Sequence, residues 1–249
     1  MEALSGNGIA AYEQQLSAAR SAFGAHPGVS GLFSAEMNAR VLHLFLIHFS
    51  ALGVHMTEPV ENWIRTAGER CDALGYHDLG RALQAHAKSE ADHHRLMIED
   101  TRRLVAHWNS CYGDVFTPER FLEMPGTPGV IRYRKLHQDI IGGNAPYAQL
   151  AIEYEIENLS VSYGPSLIRQ CMTLLPQGAL SGLSFLQEHV ELDVGHTQFN
   201  RKQLGELLSA HPEATMDLVA AGEGALAAYA DFVDDCLRMA VSLSETSLS

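Results

Sequence analysis

Apolar and polar positions along this chain recur at helical spacing over almost every long segment, and no pair of alternating segments suggests a β-hairpin. The pattern predicts a first helix over 9–23, stopped at His26-Pro27-Gly28, and a second over 32–52. A third starts at Thr57, which can cap it, tolerates Pro59 in its first turn, and ends near Leu74-Gly75. A long fourth helix covers 78–108. Residues 109–129, rich in proline and glycine, form the longest irregular stretch, with one short helix after Thr117. Four further helices are expected over 130–141, 147–173, 180–209 and 213–243, the second of them interrupted at Gly164-Pro165. The tail from Ser244 to Ser249 is expected to fray. No linker divides the chain, so residues 1–249 read as one all-α domain.

Two stretches carry nearly the same chemistry. His86-Ala-Lys-Ser-Glu90-Ala-Asp-His93 and His189-Val-Glu-Leu-Asp193-Val-Gly-His196 both read His-x-x-x-acid-x-x-His. On a helix, positions i, i+4 and i+7 share a face, so each stretch would aim two imidazoles and a carboxylate in one direction. One such motif is compatible with a solvated polar stripe. Two, both set among apolar residues such as Leu83, Leu96, Phe185 and Leu192, argue for a shared metal site. Glu153 and Glu157, four apart on an otherwise apolar segment, add inward carboxylates that would be costly to bury alone, whereas Glu155 points away toward solvent or an arginine. Tyr154 and Asn158 could support the ligands from behind.

The donor count is Glu90, Glu157 and Asp193 with His93, His189 and His196, and His86 as a fourth imidazole. That exceeds one tetrahedral zinc, and hard calcium or magnesium sites do not recruit so many histidines. Mixed nitrogen and oxygen ligation suits iron or manganese, and the number suggests two ions. In helical bundles, a lone Glu plus Glu-x-x-His, given twice, is a di-iron pattern. Here Glu90-x-x-His93 and Asp193-x-x-His196 stand for the pairs, Glu157 for one lone acid, and Glu61 or Glu58 for the other, with Glu153 as a further candidate.

Bulk properties narrow the class. The formal charge is −13, from 17 basic and 30 acidic residues, which argues against a nucleic-acid binder and gives no reason to expect an anionic membrane as partner. The most apolar run, 42–49, is too short to span a bilayer, and the start of the chain lacks a signal-peptide pattern. Four scattered cysteines fit reduced thiols in a cytoplasmic protein. No dinucleotide or P-loop motif is present.

The late triad His189, Asp193 and His196, with Glu157 some thirty residues earlier and a Glu/His pair on an earlier helix, resembles the haem-oxygenase-like di-iron oxidase and oxygenase family over roughly residues 30–210. The resemblance implies a haem-oxygenase-like bundle of about seven to eight helices. It implies one iron on the early pair and one late histidine, and a second, readily lost, on Glu157, Asp193 and the other late histidine. The family often has a glutamate where this chain has His86, so either His86 or Glu90, or both, would bind. O2 is the implied co-substrate, with electrons from the substrate or an external donor. The implied substrate is a small amine, amino acid or fatty acid. N-oxygenation in a specialised biosynthetic pathway is the leading expectation, and oxidative C–C cleavage or decarboxylation the alternative. A homodimer is compatible with all of this.

Other groups could serve such a site, and other functions would make different demands on the sequence. Arg132, Arg134, Lys135 and Arg169 could hold a substrate carboxylate; His43, His48, His55, Tyr154 and Tyr163 could line a pocket. A ferritin-like iron store or ferroxidase would use similar ligands. A thiaminase-type hydrolase would need a nucleophilic cysteine, and none lies within the two motifs. Haem oxygenase would need a proximal histidine near the first helix, where His26 beside Pro27-Gly28 is a poor candidate.

Overall fold

The computed structural model describes residues 2–113 and 115–246, with side chains from residue 8 onward. The described residues form helices and turns with no strand. The helices are α1 (Glu2–Ala25), α2 (Pro27–Leu32), α3 (Ala39–Thr57), α4 (Val60–Ala73), α5 (His77–Ala87), α6 (His94–Tyr112), α7 (Pro118–Leu122), α8 (Pro128–Gly142), α9 (Gln149–Leu174), α10 (Ser184–Ala210) and α11 (Thr215–Thr246). The sequence reading of residues 247–249 and of the side chains of residues 1–7 lies outside the described residues.

The core is built around α11, which packs against α1, α2, α3, α8 and α9. Its alanines let neighbours come close, and two glycines closer still. A Cβ at Gly28 would stand 2.4 Å from Asp234 Cα, and one at Gly129 2.4 Å from Phe232 N. The amide of Gly129 donates to the buried carboxylate of Asp235, tying the start of α8 to α11. α3 is apolar nearly all round and is buried through its central turns, as a core helix should be. The 39–73 stretch of α3 and α4 is long and apolar enough to cross a membrane, but its most apolar window is 78% buried in the bundle.

Several predicted boundaries move, each for a local reason. Thr57 does not cap α4; it ends α3, and its hydroxyl donates back to Gly53 O, a common helical alternative to capping. The chain passes through Glu58 and Pro59 in helical conformation, so α4 follows almost without a break. α9 runs unbroken through Pro165. The proline removes only one backbone bond, and α9 packs along α10 over this region, with Gly164 admitting Val190 so closely that a Cβ there would lie 2.4 Å from it. α11 continues through Ser244 to Thr246, so the chain does not fray from Ser244 as expected.

The largest departure falls on the first motif. The sequence predicts one helix over 78–108, but α5 ends at Ala87, a short 3-10 turn covers Lys88–Glu90, and α6 starts at His94. Ala91 is extended and Asp92 has φ 66°, a left-handed conformation that Asp adopts more readily than most residues. Neither Gly nor Pro marks the break. Ser89 does, in part: its hydroxyl donates to His86 O at 2.6 Å, competing with the helical ladder. His86, Glu90 and His93 therefore do not share a helical face.

Candidate metal centre

α9 and α10 run side by side and carry most of the site. The start of α10 is fixed from α6: Asp100 accepts the backbone N–H groups of Ser184 at 3.0 Å and Phe185 at 2.8 Å. This buried cap sets the register of the helix that carries His189, Asp193 and His196. α9 is anchored on its far face by Glu155, which accepts two 2.8 Å bonds from Arg20 and one 3.0 Å bond from Tyr12. Glu155 does point away from the site, as its position predicts, but it is fully buried rather than solvated.

The break after α5 sends the early residues to two places. His86 Nε2 lies 3.3 Å from Glu157 Oε1 and 4.0 Å from Glu90 Oε1, and its ring stands 4.9 Å from that of His196. His196 Nδ1 is 3.2 Å from Glu90 Oε1, 3.8 Å from Glu157 Oε1 and 3.4 Å from Asp193 Oδ1. His93 turns the other way, its Nδ1 3.1 Å from Glu90 Oε2 and its ring 4.8 Å from that of His189. Two donor groups result: His86, Glu90, Glu157 and His196, and Glu90, His93 and His189, each with ligand atoms within 4.8 Å of one another. Glu90 belongs to both, presenting one oxygen to each side. Asp193 is buried beside His196 but belongs to neither tight group.

Other sequence candidates fall outside. Glu61 and Glu58 are exposed on and before α4, away from both groups. The two-pair pattern therefore takes its remaining nitrogen from His86, not its remaining acid from α4. Glu153 is buried one turn before Glu157 and accepts from Gln149 Nε2, whose Oε1 in turn accepts from His137 Nδ1 at 3.0 Å. Tyr154 is bound to Glu13 and Asn158 to the Tyr154 carbonyl, so neither supports a ligand. The residue that does is Asn200, whose Nδ2 donates to Glu157 Oε2 at 2.6 Å. Its place one turn after His196 on α10 is the signal that could have found it.

The electrostatics describe a pocket that wants cations. Burial, then Asp193, pushes the Glu157 carboxyl well above its usual range, and burial with Glu157 pushes Glu153 up to about 8. Burial holds His86 and His189 below the usual imidazole value. His93 is raised by its bond to Glu90, and His196 by Asp193. Glu90 is pushed up by burial, but His93, His86 and His196 outweigh this and leave it lowered. His86 Nε2, Glu90 Oε1 and His196 Nδ1 are buried with no hydrogen-bond partner. Orphaned donor atoms are expensive. These three converge on one point, and a divalent cation there would satisfy all of them. The residues fit a metal centre.

An apolar cavity of about 160 Å³ adjoins the cluster. Glu90, Glu153, Glu157, His189 and Asp193 line one part of it, and aromatic and aliphatic side chains the rest. Tyr163 and Tyr133 are on its wall. The cationic candidates are not: Arg132 pairs with Asp231, Arg134 with the His55 carbonyl, Lys135 with Asp139, and Arg169 with Ser166. His43 and His55 bond backbone carbonyls, and His48 packs on Phe121, all outside this cavity.

No family model matches the sequence, and no curated protein does. Solved structures do. A domain of unknown function from Shewanella denitrificans with a heme oxygenase-like fold is 17% identical, with TM-score 0.68 over 99% of this chain and 95% of that one. A TenA homolog from Pseudomonas syringae pv. tomato is 13% identical, with TM-score 0.68 over 91% of each chain. The class is thereby set: this is an all-α protein of the haem-oxygenase-like fold. Its His/Glu clusters form a candidate metal centre inside that fold.

Proposed function

We propose that this chain is a two-iron enzyme that uses O2 to oxidise a small amine-bearing molecule, with N-oxygenation the leading reaction and oxidative C–C cleavage or decarboxylation the alternative. The observation that carries the reading is Glu90, whose two carboxylate oxygens serve two separate histidine-containing groups. Two ions would then be held by His86, Glu90, Glu157 and His196 on one side and by Glu90, His93 and His189 on the other. Two bound iron ions would supply electrons to dioxygen at that point.

This chain's own residues prepare the site. His189 Nδ1 donates to the Phe185 carbonyl at 2.9 Å, which leaves Nε2 as the free lone pair for a cation. Asn200 holds Glu157 in place. The apolar wall keeps water from the reacting groups, and Glu153, high in pKa and bonded to Gln149, can hold a proton beside Glu157.

Two rival readings have less support. Iron storage would not need an organic cavity beside the metals. A cysteine hydrolase would need an accessible thiolate, but Cys71, Cys171 and Cys236 are buried, with burial pushing Cys71 and Cys171 up to about 12, and none of the four cysteines lines the cavity. Anaerobic loading with ferrous ion, followed by O2 and candidate amines, tests the proposal. Binding of two irons per chain and amine-dependent O2 uptake is the expected result. Full activity in chelated protein would overturn it.

A further inference from the structure

A second recess, of about 420 Å³, is bounded by α3, α7 and the last turns of α11. It shares no lining residue with the cavity beside the candidate metal centre. Its volume falls within the roughly 300–1,000 Å³ of small-molecule sites.

The charge of this recess runs against that of the molecule. The chain carries a formal −13, yet among the described residues no carboxylate lines the recess and two arginines do. Arg238 pairs with Asp235 at 2.7 Å and with Asp234 at 3.1 Å, so its charge is largely compensated. Arg120 pairs with no carboxylate among the described residues. Its guanidinium lies over the rings of Phe116, at 4.7 Å, and Phe121, at 5.8 Å. One cation is therefore left over, held at an aromatic face.

His48 is the second anomaly. It lies in the middle of α3, is 3% exposed, lines the recess and packs edge-on against Phe121 at 5.3 Å. Both of its ring nitrogens are buried without a hydrogen-bond partner. An apolar side chain in its place would avoid the cost of those unmade bonds. Burial, with the charge of Arg120 nearby, lowers the imidazole to about 4, so at neutral pH it offers one N–H donor and one lone pair. A neutral donor beside an uncompensated guanidinium complements a carboxylate. A phosphate dianion would bring more charge than one free guanidinium balances, with Asp234 and Asp235 close to Arg238. The remaining walls include Phe121, Met124 and Met239, an aromatic ring and two polarisable thioethers that suit a flat aromatic body.

We propose that this recess is a second ligand site, separate from the candidate metal centre, for a small aromatic carboxylate: its carboxylate meets Arg120 and His48, and its ring lies against Phe121 and the two methionines. The site does not depend on the two-iron reading above.

Calorimetric titration of the full chain, metal-free and loaded with ferrous ion under anaerobic conditions, tests this with 2-naphthoate, acetate, inorganic phosphate and the uncharged 2-naphthylmethanol. 2-Naphthoate should bind one per chain and roughly tenfold or more tighter than the other three. Its affinity should be the same with and without iron and in His189→Ala, because no residue of the recess belongs to either donor group. Arg120→Gln, at an exposed position, and His48→Leu should each weaken it roughly tenfold, whereas His48→Gln, which keeps a neutral donor, should retain most of the binding. 2-Naphthoate binding that is unchanged in Arg120→Gln and His48→Leu, or that is lost with iron or in His189→Ala, would overturn the inference. So would equal affinity for the alcohol or tighter binding of phosphate.

Discussion

His86 Nε2 lies 3.3 Å from Glu157 Oε1, and that imidazole nitrogen has no hydrogen-bond partner despite its burial. A residue from the end of α5 is thereby joined to one in the middle of α9, across a space shaped for a cation. The two donor groups make separable predictions. His86→Ala should weaken the ion shared with Glu157 and His196, and His189→Ala the ion shared with Glu90 and His93. Each variant should keep about one strongly bound iron by metal analysis, whereas Glu90→Ala should lose both. Helical circular dichroism should persist in all three. Undiminished iron in Glu90→Ala would show that the shared carboxylate is not a ligand.

Asn200 should act through Glu157 alone. Its amide donates to Oε2 of that carboxylate from a position one turn beyond His196. Asn200→Leu removes the donor and should lower metal affinity about 10- to 100-fold, the usual cost of losing a group that orients a ligand. Asn200→Asp would set a second acid against Glu157 and should weaken binding further at neutral pH. Competition with a chromogenic chelator reads both.

The Arg20–Glu155 pair is structural. Glu155 is fully buried and receives both guanidinium bonds, so removing the arginine would strand a charge. Arg20→Met should cost about 3 kcal/mol or more in denaturant unfolding, and the double change Arg20→Met with Glu155→Leu should recover much of that loss. Iron stoichiometry should be unaltered in whichever variant remains folded. An unchanged midpoint in Arg20→Met would show the pair to be idle.

Acid should unfold the protein partly through histidines away from the candidate metal centre. Burial lowers His43 and His48 to about 4, from an ordinary value of 6.5. Between those values the unfolded chain binds protons that the folded chain refuses. The stability of the fold is therefore full above about pH 6.5 and falls as the pH drops toward 4, by up to about 3 kcal/mol for each group. Neither ring nitrogen of His48 has a partner. His48→Leu should accordingly flatten the acid limb of a stability–pH curve and raise stability near pH 5. An acid limb as steep as that of the parent protein would place the titration elsewhere.

The sequence by itself determined the all-α class and most of the helices, because each must bury one face and its apolar positions repeat at that spacing. It also singled out candidate donors on α9 and α10, which sit inside regular helices where spacing translates directly into direction. It misjudged the first motif for the same reason. Helical spacing placed His86, Glu90 and His93 on one face, but no glycine or proline announces the turn through Ala91 and Asp92. Only the tertiary structure decided that His86 meets Glu157 while His93 meets His189, that Glu90 lies between them, and that Glu61 stays outside. It also decided that the arginines and the lysine proposed for substrate bind elsewhere, leaving the cavity without a lysine or arginine in its lining. Periodicity reports which way a side chain leaves its own helix. Which helix it meets depends on breaks and packing that arise only when the core closes around α11.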